Sequence, residues 1–389
     1  MIRIDEIYEN TFLPWVRKNC PDTAIFYCDP FGRSDSDSIL CRGLPEGKEK
    51  NNIFFFDQEP VQLSIHLPTF HSFNLGCMDP DTFGNENKFL VTSETNSDNV
   101  DYICKVYELQ PFYYFFHGWA ALDWYRGYDR TFLITPPDQR NIKKTFFSAN
   151  RIIGGERNHR VIQLYFFQLF DLMHNHISAP KVCPVENKDI IDIAKFYRHR
   201  YPDDWSIKLD QIEFKGGILE TVAQMDLPRL FTGEDTQRMS SCWLDQFDLC
   251  AESMIYHVSE TVFFGRRQHL TEKTFKPIAM GMPFVLSAPA GSLAYLKQYG
   301  FKTFDTIWDE YYDTATDDTV RIATLTRLLK KLDQQSEQEK NKMFKKCIPI
   351  IEHNWNHFYN GGFEKILWAE LTTMLHNLKA AMNGDLSSN

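Results

Sequence analysis

The chain has 389 residues, too many for one ordinary hydrophobic core and enough for two domains. A formal net charge of −10 at pH 7 argues against a protein whose main task is gripping nucleic acid, and leaves room for an enzyme that touches DNA through one local basic patch. Nine scattered cysteines without CxxC spacing read as reduced thiols of a cytoplasmic protein. The opening Met1 to Glu6 carries no apolar signal region, and no stretch approaches the roughly 20 apolar residues of a membrane span.

In chain order, short apolar runs alternate with helical patterns, the signature of an α/β chain. Strands are expected at Ala24 to Cys28, Ile53 to Phe56, Phe89 to Thr92 and Arg130 to Ile134. The aromatic blocks Phe54 to Phe56 and Phe112 to Phe116 read as strand and core, with a stacking surface for sugar rings or bases as the alternative. Thr135-Pro136-Pro137-Asp138 reads as a linker, because two prolines continue neither a helix nor a central strand. Lys144 to Ser148 is a further strand, and Arg160 to His174 has helical apolar spacing. Residues 181–240 are polar and irregular, with one helix from Lys188 to Arg198. Then come a strand at Met254 to Val258, a helix at Thr271 to Met280, a strand at Pro283 to Ser287 and a helix at Ser292 to Gln298. Helices follow at Asp318 to Leu332, Glu337 to Asn354 and Phe363 to Met382, before a frayed tail from Gly384. The expected domains are residues 1–138, residues 139–355, and a C-terminal helix over 356–389 returning to the first.

The stretch richest in chemistry runs from His257-Val258-Ser259-Glu260 through Arg266 and Arg267 to Leu270-Thr271-Glu272-Lys273 and on to Val285. It reads as strand, loop, helix, strand, and ligands of an open α/β sheet sit at the carboxyl ends of such strands. Thr271 is placed to cap the helix, whose first turn is an anion cradle. Lys273 adds a positive charge there, and Glu272 adds an acceptor suited to ribose hydroxyls. Pro277 predicts a kink or a late start.

This pattern resembles the donor-binding signature of fucosyltransferase-like enzymes of GT-B fold, best over residues 250–305. The longer form, Thr271 to Phe284, is similar to glycosyltransferase-like proteins encoded by phages and some bacteria. The resemblance implies two Rossmann-like domains facing each other across a cleft. It implies that Glu272 holds the donor ribose and Lys273 the pyrophosphate. Ser259-Glu260 stands where the family has Glu-Asn, so fucose is not carried over as the donor sugar. The co-substrate is a UDP- or GDP-type sugar, with no other cofactor.

Three further groups support this. Ser148, Asn150 and Arg151 end a strand, with Arg157 and Arg160 following; Arg160 or Arg151 suits the pyrophosphate, since a guanidinium fork matches phosphate oxygens. Asp57 and Glu59 end an N-terminal strand. Glu59 is the first candidate for the base that deprotonates an acceptor hydroxyl in an inverting, metal-independent transfer, and Asp57 the second. His117 and Trp119, with Trp124, are acceptor-side candidates or a packed cluster. Metal-like patterns are weak: triplets such as Asp35/Asp37 and Asp79/Asp81 are common in an acidic chain, and His174/His176 and His353/His357 have no obvious third ligand, so no metal is expected. The phage-like resemblance points to a 5-hydroxymethylpyrimidine in DNA as acceptor. A cytoplasmic glycan, lipid-linked or protein acceptor is the rival, and a non-catalytic nucleotide- or carbohydrate-binding module is the other class.

Overall fold

The computed structural model describes residues 7–28, 39–41, 50–61, 87–127, 135–209, 211–235 and 243–384. The strand expected over Arg130 to Ile134, the triplets at Asp35/Asp37 and Asp79/Asp81, and the tail beyond Gly384 lie outside these residues. The chain is a mixed α/β protein that divides into two compact units. Unit 1 comprises Met1–Asp123, Arg266–His269 and Gly361–Asn389, and unit 2 comprises Trp124–Gly265 and Leu270–Asn360.

Unit 1 opens with a π-helical stretch, Ile7–Phe12, that runs into helix α1 (Leu13–Asn19). Strands β1 (Thr23–Cys28), β2 (Ile39–Cys41), β3 (Asn51–Phe56) and β4 (Asn87–Thr92) follow, then helix α2 (Asp98–Tyr107), strand β5 (Gln110–Tyr113) and helix α3 (Phe116–Trp124). The sheet order is β2-β1-β3-β4-β5, parallel throughout except for β2, which pairs antiparallel at the edge. β3 is buried along its whole length, as a central parallel strand covered on both faces must be. Its side chains alternate between the faces. Phe54 and Phe56 join Leu90, Val100 and Ile103 in one core, whereas Phe55 meets Phe12 edge to face at 4.7 Å. The aromatic blocks are therefore core. Phe112 to Ala121, one dense stretch in the sequence, splits into β5 and α3.

Unit 2 contains β6 (Lys144–Ser148), α4 (His159–Leu169), β7 (His176–Ile177), α5 (Ile190–Lys195), the antiparallel hairpin β8 (Ser206–Leu209) and β9 (Ile212–Lys215), α6 (Ile218–Ala223) and α7 (Phe247–Ala251). It continues with β10 (Ser253–Ser259), α8 (Glu272–Ala279), β11 (Phe284–Ser287), α9 (Ser292–Gln298), α10 (Asp318–Asp333) and α11 (Glu337–Tyr359). Its main sheet has the order β11-β10-β6-β7, all parallel. Between Lys188 and Arg198 only Ile190–Lys195 is helical, because Asp189 caps the helix by accepting the Ile191 N–H at 2.8 Å. The hairpin and α6 lie in the stretch read as irregular. Pro137 sits in a short 3-10 turn, Pro137–Gln139, inside unit 2.

The last helix, α12 (Gly362–Met382), belongs to unit 1. It packs on α3 at Gly118, where a Cβ would lie 2.8 Å from Phe363 and force the side chains of Phe363 and Leu367 to shift.

Candidate nucleotide site at the strand switch point

The order β11-β10-β6-β7 fixes where a ligand could enter unit 2. From β6 the chain crosses through α4 to β7 on one side. It returns as β10 on the other side of β6 and moves outward through α8 to β11. The direction of winding reverses between β6 and β10. At such a switch point the loops leaving the two strands diverge and open a crevice beyond their carboxyl ends. Ser148 and Ser259 end these two strands, and the residues just after them carry the site.

Glu260 follows β10 and is fully buried. Its carboxylate accepts the N–H groups of Thr261 and Thr271 at 3.1 Å, and the hydroxyls of Thr271 and Thr274 at 2.5 Å. Four donors satisfy it, so Glu260 clamps the start of α8 to the end of β10 and is not open to a donor sugar. This corrects its expected place among the donor ligands. Thr271 also caps α8 by accepting the Lys273 N–H at 3.4 Å. The helix starts at Glu272, so of the kink or late start expected from Pro277 the late start does not occur. Pro277 lies inside the helix, which ends at Ala279, with Gly281 just beyond the cap at φ 61°.

Lys273 emerges from this clamped turn. Its Nζ lies 2.7 Å from Glu272 Oε1 and donates to the hydroxyls of Thr261 and Thr271 at 3.2 and 3.3 Å. The lysine side chain keeps 22% exposure against 6% for Glu272, so the cation is the more accessible partner.

Arg160 lies in the first turn of α4 and is almost fully buried. Its terminal nitrogens donate to the carbonyls of Ile152 and Ser259 at 2.8 and 2.7 Å, tying the loop after β6 to the end of β10. Burial, and then repulsion from Arg157, pushes its guanidinium down to about 9, which leaves it charged at neutral pH. Its Nε is buried without a partner, and so is Oδ1 of Asn150. The rest of Asn150 is held: Nδ2 donates to Ser148 Oγ at 2.9 Å and the backbone N–H to Ser178 Oγ at 3.1 Å. A buried unpaired polar atom costs roughly 1–3 kcal/mol, and native proteins keep few. Two such atoms, on Arg160 and Asn150, lie beside the switch point.

Behind the site runs an internal polar network. Ser148 Oγ meets His257 Nδ1 at 2.9 Å, and Gln163 bridges His257 to Ser259. Ser148, expected at the donor, serves this network instead. Burial, and then Arg160, pushes His257 down to about 3 and holds His159 well below the ordinary imidazole value, so both rings are neutral.

Sequence reasoning missed Glu234. It is buried, and its carboxylate accepts from Ser178 Oγ and the Phe231 N–H, both at 2.9 Å. Its own carbonyl accepts Arg151 Nε at 2.5 Å. It lies in the stretch read as irregular, and only the long-range pairing of that stretch reveals it.

In unit 1, Asp57 directly follows β3, and the Tyr114 hydroxyl donates to its carboxylate. Glu59 is 9% exposed two residues further on. His117 packs edge to face on His269 at 4.9 Å. Trp119 is 2% exposed and packs edge to face on Trp368 at 4.8 Å, a core position in place of an open stacking platform. His353 and His357 share a helix face but bond backbone carbonyls, those of Gly300 at 3.0 Å and Tyr299 at 2.7 Å. Among the described residues no three His, Cys, Asp or Glu gather as metal ligands, and no helix is long and apolar enough to cross a membrane. Comparison with protein-family models, with curated proteins and with solved structures returns no match.

Proposed function

We propose that the chain is a nucleotide-sugar-dependent glycosyltransferase of GT-B type whose donor nucleotide binds unit 2 at the switch point. One observation carries the reading. The loops after β6 and β10 and the first turns of α4 and α8 bring an accessible lysine, a carboxylate and two buried unpartnered polar atoms to the carboxyl ends of these strands. Without a ligand, Lys273 and Glu272 neutralise each other. On binding, Lys273 turns to the diphosphate, aided by the positive end of α8, and Glu272 takes the ribose hydroxyls. Arg160 and Asn150, with Arg151 beside them, complete the phosphate side, and the cations stabilise the leaving diphosphate. Glu59 is the proposed base; Asp57 ranks second because Tyr114 already engages it.

The acceptor reading turns on charge. Unit 1 holds 22 Asp and Glu against 13 Lys and Arg, whereas unit 2 holds 30 against 29. An acidic acceptor-side unit repels a phosphate backbone, which favours a glycan over a hydroxymethylated base in DNA.

The test is a thermal-shift screen of wild-type protein against UDP, GDP and their sugars, because a ligand of the native state raises the melting temperature. A shift with one diphosphate, lost in Lys273→Ala and Glu272→Ala, is expected. Glu59→Ala should keep the shift and lose turnover on oligosaccharide and hydroxymethylated-DNA acceptors. Wild-type nucleotide affinity in Lys273→Ala would overturn the site, and a shift without turnover on any acceptor would leave a binding module.

A further inference from the structure

We propose that Glu234 is a positioning residue of the nucleotide site, holding the Asn150–Arg151 loop in the shape that meets phosphate. The proposal rests on the nucleotide reading above. Its geometry is a directional chain. The Asn150 N–H donates to Ser178 Oγ at 3.1 Å, and Ser178 Oγ–H donates to Glu234 Oε1 at 2.9 Å. A serine hydroxyl has one proton. Glu234 takes that proton, which turns the Ser178 lone pairs toward Asn150. The other end of the same residue holds the next residue of the loop, because the Glu234 carbonyl accepts Arg151 Nε at 2.5 Å. One glutamate thus fixes two consecutive residues after β6, and these include the side chain whose Oδ1 is left buried and unpartnered.

The strand framework does not require this arrangement. Ser178 N–H already bonds Ser148 O at 2.9 Å, which joins β6 to the end of β7 without Glu234. Glu234 is nevertheless kept buried, and that burial raises its carboxyl above the usual range despite the bonds from Phe231 and Ser178. A carboxyl buried at that cost beside the loop after the first switch strand organises the loop in advance, so that binding need not order it. Hydrogen bonds to a charged group are worth about 1.5–3 kcal/mol, or roughly ten- to a hundredfold in affinity when the bonded group sets the ligand contact.

The experiment uses the full chain with Glu234→Ala and, as a gentler cut in the same chain, Ser178→Ala. Calorimetric titration with the nucleoside diphosphate, the matching nucleoside and inorganic pyrophosphate is combined with amide hydrogen exchange. Both variants should bind the diphosphate and pyrophosphate at least about tenfold more weakly while keeping nucleoside affinity. The amides of Asn150 and Arg151 should exchange faster, and those of α8 at the wild-type rate. Equal loss for diphosphate and nucleoside would reduce Glu234 to general structural support and overturn the proposal. Unchanged exchange at Asn150 in both variants would overturn it whatever the wild type binds. Wild-type protein that binds no nucleotide would instead sink the nucleotide reading itself, and the exchange data keep the two failures apart.

Discussion

Units 1 and 2 use the same α/β parts to different ends. In unit 1 the parallel strands run β1, β3, β4, β5 in chain order, so the winding never reverses within them. Two of its buried acids are engaged within the unit: Glu94 receives Arg267 Nε and Nη2 at 2.9 and 3.0 Å and the Val61 N–H at 2.8 Å, and Asp57 takes the Tyr114 hydroxyl. In unit 2 the winding reverses at β6 and β10, and beside that reversal polar atoms of Arg160 and Asn150 stay unpaired. A saturated polar cluster stabilises and specifies; an unsaturated one at a strand crevice keeps binding capacity in reserve.

The largest expected effect breaks the saturated side. Glu94→Ala removes the carboxylate that faces Arg267, whose side chain is 6% exposed in the interior of unit 1. Removing one member of a buried pair costs about 3–5 kcal/mol. Denaturant unfolding should show that loss, with nucleotide affinity of the folded protein unchanged. A loss below about 1 kcal/mol would mean the pair is solvated and the contrast between the units is false.

Next in size is a pH effect in unit 2. His257 titrates at about 3, and burial holds His159 well below the 6.5 of a free imidazole. Folding therefore favours the neutral rings. Their contribution is complete above pH 6.5 and is lost as pH falls through the window toward 3. At pH 5 the His257 ring should have cost about 2 kcal/mol, at 1.4 kcal/mol per pH unit. Unfolding midpoints at pH 7.5 and pH 5 check this, and His257→Asn should flatten the dependence by one ring's share. An unaltered slope in that variant would place the acid sensitivity elsewhere.

What the sequence made legible was local. The bounds of β6 and α9 agree with expectation to the residue, and β10, α8 and β11 agree within one or two, because apolar runs, a threonine cap and a closing glycine are written in neighbouring positions. The switch point was not legible, since it depends on β10 pairing with β6 across more than 90 residues of chain, as Ser253 with Lys144. Glu260 was misplaced for a related reason. Its partners Thr271 and Thr274 lie 11 and 14 residues on, so the sequence showed a carboxylate at a strand end and hid the helix that consumes it. Glu234 had no local signal at all.

The smallest effect sharpens the comparison most, because it sets two N-caps inside unit 2 against each other. Ser336 caps α11 through a reciprocal capping box with Glu339. Thr271 caps α8 and also donates to Glu260, so it ties the Lys273 turn to the end of β10. Ser336→Ala and Thr271→Ala should each cost about 1 kcal/mol of stability, the usual worth of a cap. Only Thr271→Ala should also weaken nucleotide binding, by several-fold, since it loosens the turn that aims Lys273. Thermal melts give the first quantity and titration the second. Equal binding in the two variants would mean that α8 holds its place without the clamp, and that the carboxylate of Glu260 serves the fold alone.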